Sequence, residues 1–133
     1  FRQSALLIKI ILTLFGLSSA LAAHEMTPAY PDLKPSYVKD VMKADMSLFN
    51  YRDDVQYYQI AVFDIDWVNV PFASKYRIMK VKHEKRQDFS VYIRKADLAR
   101  AVYLCTTSKM LKESGVKTVI SSRICSRVDG AKP

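Results

Sequence analysis

Residues 99–109 (ARAVYLCTTSK) and 118–128 (TVISSRICSRV) decide the fold. Both stretches contain the β-branched and aromatic residues that favour strands, and Gly115 lies between them at the position of a turn. If the two strands pair antiparallel about this glycine, Cys105 faces Cys125. The sequence therefore predicts a terminal hairpin with one disulfide across it.

The chain has only these two cysteines, and an even pair in an exported protein is most simply a disulfide. Closing a loop of about 20 residues stabilises a fold by about 3 kcal/mol in the chain-entropy description. A redox pair of thiols and a metal site are the alternatives. They fit less well, because there is no CxxC spacing and no histidine lies near either cysteine in the sequence.

The first 23 residues, FRQSALLIKIILTLFGLSSALAA, have the order of a signal peptide. Arg2 and Lys9 supply positive charge, an apolar run follows, and residues 20–22 (ALA) have the small-x-small spacing that a signal peptidase accepts. The apolar run is shorter than the ~20 residues needed to span a bilayer. We therefore predict a hydrophobic signal-peptide helix over residues 1–23 and a periplasmic or secreted mature protein. A retained anchor is the alternative, and an uncleaved signal segment is the only membrane contact we expect.

The composition is that of one globular domain with surplus positive charge. The chain has 133 residues, of which 50% are hydrophobic and three are glycine, so it has enough apolar surface to offset the entropy of ordering. Its 21 Lys and Arg against 13 Asp and Glu give a net charge of +8, and removing the two basic residues of the leader leaves +6. A basic exported protein tends to meet acidic partners.

The rest of the chain predicts an all-β fold. Apolar residues alternate with polar ones in three stretches, whose inward positions are Met42, Ala44, Met46 and Leu48, then Tyr58, Ile60 and Val62, then Phe89, Val91 and Ile93. Short strands are also expected at residues 70–73 and 76–81, and one helical turn at 94–98. About seven strands at regular spacing predict an antiparallel β-sandwich. We place it at residues 36–128, between an extended Pro-rich leader (24–35) and a flexible tail (129–133).

A short motif indicates the type of sandwich. Tyr103 lies two residues before Cys105 and soon after the expected corner at 94–98. In immunoglobulin-type sandwiches, a tyrosine at this place bonds back to the corner through its hydroxyl. The chain therefore resembles an immunoglobulin-like β-sandwich. It departs from that pattern because no upstream cysteine exists for the usual bridge between sheets, so Cys105 must pair forward with Cys125.

A broader resemblance spans most of the expected mature chain. The order of features in this chain is similar to that of one domain of a periplasmic pilus-assembly chaperone. These features are the polar turn at Asn50, the Tyr- and Val-rich strand after it, Pro71, a basic strand, the stretch 89–93 and a late strand pair. This resemblance implies a protein that holds partner subunits by adding a strand along an exposed edge. The stretch 24–31 (HEMTPAYP) also looks like small exported proteins of unknown role in marine bacteria and their phages.

The strongest electrostatic feature is a run of cations between residues 75 and 86. Within it we predict a partner-binding edge of Tyr76, Arg77, Lys80 and Lys82, which captures another envelope or extracellular protein, or an anionic polymer, by strand addition. The alternative is protection, because lysines on an edge strand deter aggregation. Nucleic acid is not an expected partner, since it requires aromatic rings interleaved with the cations on one face.

The alternative function is copper binding in the periplasm. If cleavage falls after Ala23, His24 becomes the N-terminal residue, and its amine and imidazole are copper ligands together with the imidazole of His83. His83 lies in a cationic stretch that disfavours a metal ion. Asp64 and Asp66 lack the glycine and terminal glutamate of a calcium loop and are interpreted as turn formers.

The sequence contains no pattern of catalytic residues. There is no G-x-S-x-G stretch and no Gly-rich phosphate loop, and neither histidine lies near a nucleophile in the sequence. We therefore expect a noncatalytic binding or structural-assembly protein without a cofactor.

Overall fold

The chain folds into two antiparallel β-sheets that enclose one core. The structure, a computed structural model, describes residues 23–110 and 121–130. Within these residues the strands are β1 (His24–Thr27), β2 (Lys34–Pro35), β3 (Val41–Asn50), β4 (Tyr57–Phe63), β5 (Ile78–Lys80), β6 (Arg86–Arg94), β7 (Tyr103–Lys109) and β8 (Arg123–Arg127), and one helical turn, α1 (Lys95–Leu98), follows β6. The predicted all-β sandwich is confirmed. The expected signal-peptide helix and the turn at Gly115 lie outside the described residues.

The first sheet is built on β3. β6 pairs with it from Val41 opposite Arg94 to Phe49 opposite Arg86, and β1 and β2 share its other edge. The segment expected to be a Pro-rich leader is extended and contributes these two strands. It is held in the sheet because alternate residues of β1 point into the core, where His24 is fully buried.

The second sheet has the strand order β5-β4-β7-β8. Its terminal hairpin has the predicted register, in which Cys105 faces Cys125, and a disulfide joins the two residues. The predicted staple is therefore confirmed. A disulfide is typical of proteins that fold in an oxidising compartment outside the cytosol.

The core lies between the two sheets and follows the predicted alternation. Its fully buried side chains include Leu48, Val91 and Ile93 from the first sheet and Tyr58, Val62 and Leu104 from the second. Burying each such side chain stabilises the fold by about 1.5–3 kcal/mol. Because the inward positions are occupied by the core, contacts with other molecules are left to the outward faces and the edges.

Residues 70–73 do not form the predicted strand. Only isolated bridges flank them, Phe63 with Asn69 and Ala73 with Tyr92. Phe63 belongs to β4 in the second sheet and Tyr92 belongs to β6 in the first sheet, so this segment crosses from one sheet to the other. Pro71 has no N–H for a ladder, which favours such a crossing. The strand expected at 76–81 shortens to β5, whereas the helical turn expected at 94–98 is confirmed as α1.

Candidate partner-binding edge

β5 is an edge strand, and no strand among the described residues pairs with its outer side. On its inner side, the carbonyl of Arg77 accepts a hydrogen bond of 2.9 Å from Ile60, and the amide of Val81 donates one of 2.7 Å to Gln56. In an antiparallel ladder, residues bonded to the neighbour alternate with residues whose backbone groups point the other way. The N–H and C=O groups between these two bonded positions, at residues 78 and 80, therefore point away from the sheet.

The four residues predicted for partner binding follow this edge but do not form one patch. Lys80 is exposed on the outward face of the second sheet, and Lys82 is exposed in the turn toward β6. The guanidinium of Arg77 lies 5.3 Å from the ring centroid of Phe72. Tyr76 is half-buried against the core. The structure thus places all four along one edge and directs their side chains to different sides of it.

Ile78 adds an apolar contact that the sequence pattern did not single out. Its side chain shares the outward face with Lys80, two residues along the strand, and is 52% exposed. One isoleucine among charged residues gives no periodic signal, so its exposure became visible only when β5 was placed at the edge. An apolar side chain beside cations on an open edge fits an extended segment of complementary chemistry.

Asn50 fixes the position of this edge from inside the molecule. Its side-chain amide nitrogen donates hydrogen bonds of 2.8 Å to the carbonyls of Val55 and Val81. Its side-chain oxygen accepts a bond of 2.5 Å from the Tyr58 hydroxyl, and burial raises the pKa of Tyr58 to about 12. Asn50 is itself fully buried. It therefore joins the end of β3 to the segments before β4 and after β5.

The outward face of the second sheet has cations and no carboxylate on its strands. By alternation with the core, its outward positions are Tyr57, Gln59, Ala61, Phe63, Ile78, Lys80, Tyr103, Cys105, Thr107, Lys109, Arg123, Cys125 and Arg127. Arg127 forms a salt bridge of 2.7 Å with Asp129, which follows β8. The described residues contain no salt-bridge partner for Lys80, Lys109 or Arg123. Among the described residues, Arg127 is thus the one cation of this face with a carboxylate partner.

An aromatic stack covers one end of this face. Trp67 lies parallel to Tyr103, with ring centroids 4.2 Å apart and an interplanar angle of 2°. The guanidinium of Arg127 lies 5.2 Å from the ring of Tyr103, and that of Arg123 lies 5.3 Å from Phe63 and 5.8 Å from Trp67. Trp67 nevertheless stays 47% exposed. Rings and guanidinium groups thus lie against one another at the surface.

A tight turn after β4 holds Trp67 in this stack. Oδ1 of Asp64 accepts hydrogen bonds of 2.9 Å from the amides of Asp66 and Val68, as expected for turn-forming aspartates. Trp67 has a φ of 62°, in the left-handed region that bulky residues rarely adopt. This conformation costs roughly 1–2 kcal/mol, which the parallel contact with Tyr103 helps to offset.

Ion pairs stabilise the corner that α1 forms before β7. Asp97 accepts hydrogen bonds of 2.8 Å from Arg94 and 3.0 Å from Arg100, and these bonds, that of Arg94 foremost, lower the pKa of Asp97. Tyr103, which was expected to bond to this corner, has no hydrogen bond to it among the described residues. Its ring lies against Trp67 instead.

His24, the candidate copper ligand, is engaged within the protein. Its Nδ1 lies 3.1 Å from Oγ of Ser122, and its Nε2 lies 3.1 Å from Oγ1 of Thr106. Its ring also packs against Tyr58 at 4.7 Å between centroids. Burial lowers the pKa of His24. The imidazole is therefore held neutral and hydrogen-bonded between the sheets.

His83, the second candidate ligand, is not buried with His24. It is exposed in the turn between β5 and β6, where its Nε2 lies 3.6 Å from Glu84. Within residues 23–110 and 121–130, no group of three or more His, Cys, Asp or Glu side chains is placed to hold a metal ion. Copper at either ring nitrogen of His24 would have to displace the hydrogen bond made there and enter a buried position. The packing of His24 therefore disfavours copper binding at this residue.

The outward face of the first sheet is a groove in which charges are compensated. The groove has a volume of about 670 Å³. Among the side chains that line it, Asp45 accepts a hydrogen bond of 2.7 Å from Ser90. Asp45 also lies 3.8 Å from both Lys34 and Lys43. The hydrogen bond from Ser90, ahead of these two lysines, lowers the pKa of Asp45. Cation and anion thus alternate on this face.

The cluster of Trp67 with Arg123 and Arg127 was missed by the sequence reasoning. Trp67 is far from the two arginines in the chain and meets them only because the turn after β4 folds back over β7. The signal that could have found them is the pairing itself, since Phe63 faces Tyr103 and Tyr103 faces Arg127. This row of outward residues can be inferred from the sequence once β4 is known to pair with β7.

Comparison with known proteins gives no assignment. No protein-family model matches the chain, and no curated protein matches it. The described part of the chain contains no helix with the length and hydrophobicity to cross a membrane.

Proposed function

We propose that the protein is an exported, noncatalytic binding module that captures an envelope or extracellular partner protein by adding a strand to β5. One observation supports this proposal most directly. The backbone groups of Ile78 and Lys80 point away from the sheet at an edge that no described strand covers. Strand addition uses such groups for affinity and the neighbouring side chains for specificity.

The order of strand pairing supports an immunoglobulin-like type for this module. In that type, strands A, B and E share one sheet, and C, F and G share the other. Here β1, β3 and β6 belong to one sheet and β4, β7 and β8 to the other. β5 then takes the place of the additional strand beside C that variable-type domains have.

The side chains of the edge favour an extended acidic segment. A residue opposite Ile78 on the added strand would pack against its exposed side chain, and carboxylates nearby would meet Lys80 and Lys82. The same lysines disfavour pairing of β5 with a second copy of itself, because like charges on neighbouring strands repel. Protection against self-association and capture of an acidic partner are therefore compatible roles of one edge.

Two substitutions test the proposal at the backbone and at the side chains. Ile78→Pro removes an amide hydrogen that points toward the partner and leaves the bonds from Arg77 and Val81 to β4 in place. Lys80→Glu reverses the charge of the edge. The matched control is Lys95→Glu, which makes the same charge change in α1.

The measurement is recovery of bound protein from an envelope extract by each immobilised variant. We expect Ile78→Pro and Lys80→Glu each to reduce recovery at least about tenfold, which corresponds to about 1.4 kcal/mol, and Lys95→Glu to leave it unchanged. Equal recovery by wild type and both edge variants, with all of them folded by circular dichroism, would reject capture at β5.

A further inference from the structure

Two cations on the outward face of the second sheet, Lys109 and Arg123, lie near each other. Lys109 lies two residues from Thr107 on β7, and Thr107 faces Arg123 on β8. Strands lie about 4.8 Å apart and alternate residues about 7 Å apart, so the backbones at these two cations are separated by about 8 Å. Neither has a salt-bridge partner among the described residues. Together they attract a polymer with repeated negative charge.

Trp67 adds a flat apolar surface at the end of this row. Tyr103 lies against the indole at 4.2 Å, yet Trp67 remains nearly half exposed. Arg123 is fixed beside it, because its Nε donates a hydrogen bond of 3.2 Å to Oγ1 of Thr107. A ring with apolar C–H groups and a carboxylate can therefore pack on the indole while the carboxylate meets the guanidinium.

We propose that this face, composed of Trp67, Arg123 and Lys109, binds an acidic polysaccharide, a chain of sugar rings that carry carboxylates. The sugar ring supplies the apolar surface for Trp67, and successive carboxylates meet Arg123 and Lys109. This site is separate from strand addition, because Lys109, Arg123 and Trp67 lie on β7, on β8 and in the turn after β4, and none of them lies on β5. It extends the proposed function and does not depend on it.

A single-stranded nucleic acid is the competing polyanion, and the stack disfavours it. Such strands bind by stacking successive bases on several aromatic side chains. Here Tyr103 is covered by Trp67, and Phe63 has the guanidinium of Arg123 at 5.3 Å. The exposed indole suits one sugar ring better than a row of bases. The disulfide also points to a compartment outside the cytosol, where acidic polysaccharides are met.

The test is calorimetric titration of the whole protein with an octamer of galacturonic acid. We expect saturable binding that weakens as salt is added. Arg123→Gln and Trp67→Asn should each weaken it at least about tenfold. Asparagine is chosen because it tolerates the left-handed backbone of this turn. The matched control Lys95→Gln removes a cation away from this face and should leave the affinity unchanged.

Two further ligands make the result specific. Dextran, a neutral chain of sugars, should not bind, because it has no carboxylate for Arg123. An oligothymidylate of the same length should bind more weakly than the uronate octamer. No binding of the octamer, equal affinity in Arg123→Gln and Trp67→Asn, or tighter binding of the oligothymidylate would each overturn the proposal.

The edge variant separates the two proposals. Ile78→Pro should abolish capture of a partner protein and leave the affinity for the octamer unchanged. Loss of octamer binding in Arg123→Gln with normal partner capture would support the polysaccharide site alone. A variant Ile78→Pro that loses both activities while still folded would contradict a site confined to Trp67, Arg123 and Lys109.

Discussion

The outward faces of the two sheets differ in how they arrange charge, although they enclose one core. On the first sheet, Asp45 lies between Lys34 and Lys43, and a hydrogen bond from Ser90 holds it there. On the second sheet, the strands bring cations to the surface with no carboxylate among them. On the first face an anion lies between its cations, whereas the described strands of the second face supply no carboxylate and Arg127 pairs with Asp129 just after β8.

The faces also differ in how they are held in place. The second sheet has the disulfide and the stack of Trp67 on Tyr103, both on its outward side. The first sheet depends on the long pairing of β3 with β6. Contacts of this kind hold the side chains of a face in place before any ligand binds. A binding site that is already ordered loses less conformational entropy on binding.

Removal of the disulfide is the strongest test of this difference. We expect the double variant Cys105→Ala/Cys125→Ala to lose about 3 kcal/mol of unfolding free energy, because the unfolded chain is no longer closed into a loop. The measurement is urea denaturation of the variant and the wild type. A loss below about 1 kcal/mol would mean that the ladder and the aromatic stack hold the second sheet without the disulfide.

A pH series tests the interior of the molecule, where the side chain of His24 is buried between the two sheets. The pKa of His24 in the folded protein is lowered from its ordinary value of 6.5 by burial, so below pH 6.5 the unfolded chain binds a proton that the folded chain does not. Stability should therefore be full above pH 6.5 and fall below it, by at most about 1.4 kcal/mol per pH unit for this one proton.

Urea denaturation between pH 7.5 and 5 measures this effect, and His24→Gln should flatten it. The control is the wild-type protein measured over the same pH range. A folded His24→Gln variant whose stability falls as steeply as that of the wild type would contradict a buried neutral imidazole between the sheets.

Loss of the Trp67 ring should have a smaller effect on stability. Trp67→Asn removes a stacking contact of about 1 kcal/mol and also relieves the strain of a bulky residue at positive φ. The two changes partly cancel, so we expect a net loss below about 1 kcal/mol by urea denaturation. A loss of several kcal/mol would make the stack a part of the core and not a surface prepared for a ligand.

The smallest effect is expected on the first face. Asp45→Asn removes the carboxylate near Lys34 and Lys43, and because these pairs are exposed the unfolding free energy should change by less than about 0.5 kcal/mol. The variant should, however, gain weak, salt-sensitive retention on immobilised galacturonate, since two lysines lose their anion. Unchanged retention would show that uncompensated charge alone does not make a binding face.

The alternation of residues predicted much of this fold. Each inward stretch follows the period of a strand, and the spacing about Gly115 fixes a register that brings Cys105 opposite Cys125. These features depend on neighbours along the chain, so one sequence is enough to find them. The edge position of β5 was also anticipated from its lysines, although its outward-directed backbone groups at 78 and 80 follow only from the pairing with β4.

The features that the sequence did not predict depend on distant pairing. β1 and β2 look like an irregular Pro-rich leader until β3 provides an edge for them. Residues 70–73 have the composition of a strand, but the chain crosses there from one sheet to the other. Trp67 reaches Tyr103 only through a left-handed backbone that propensities assign to glycine or asparagine, and its place beside Arg123 follows from the order of the second sheet.

The buried amide of Asn50 has a consequence for how the edge can change. Because Asn50 bonds to Val81 from the interior, the end of β5 is anchored by a buried residue that is not part of the exposed edge. If the edge captures a partner as proposed, substitutions at its surface should alter partner preference without displacing the strand. The residues that would contact a partner differ from the residue that holds β5 in place. Partner specificity could therefore change during evolution while the fold stays the same.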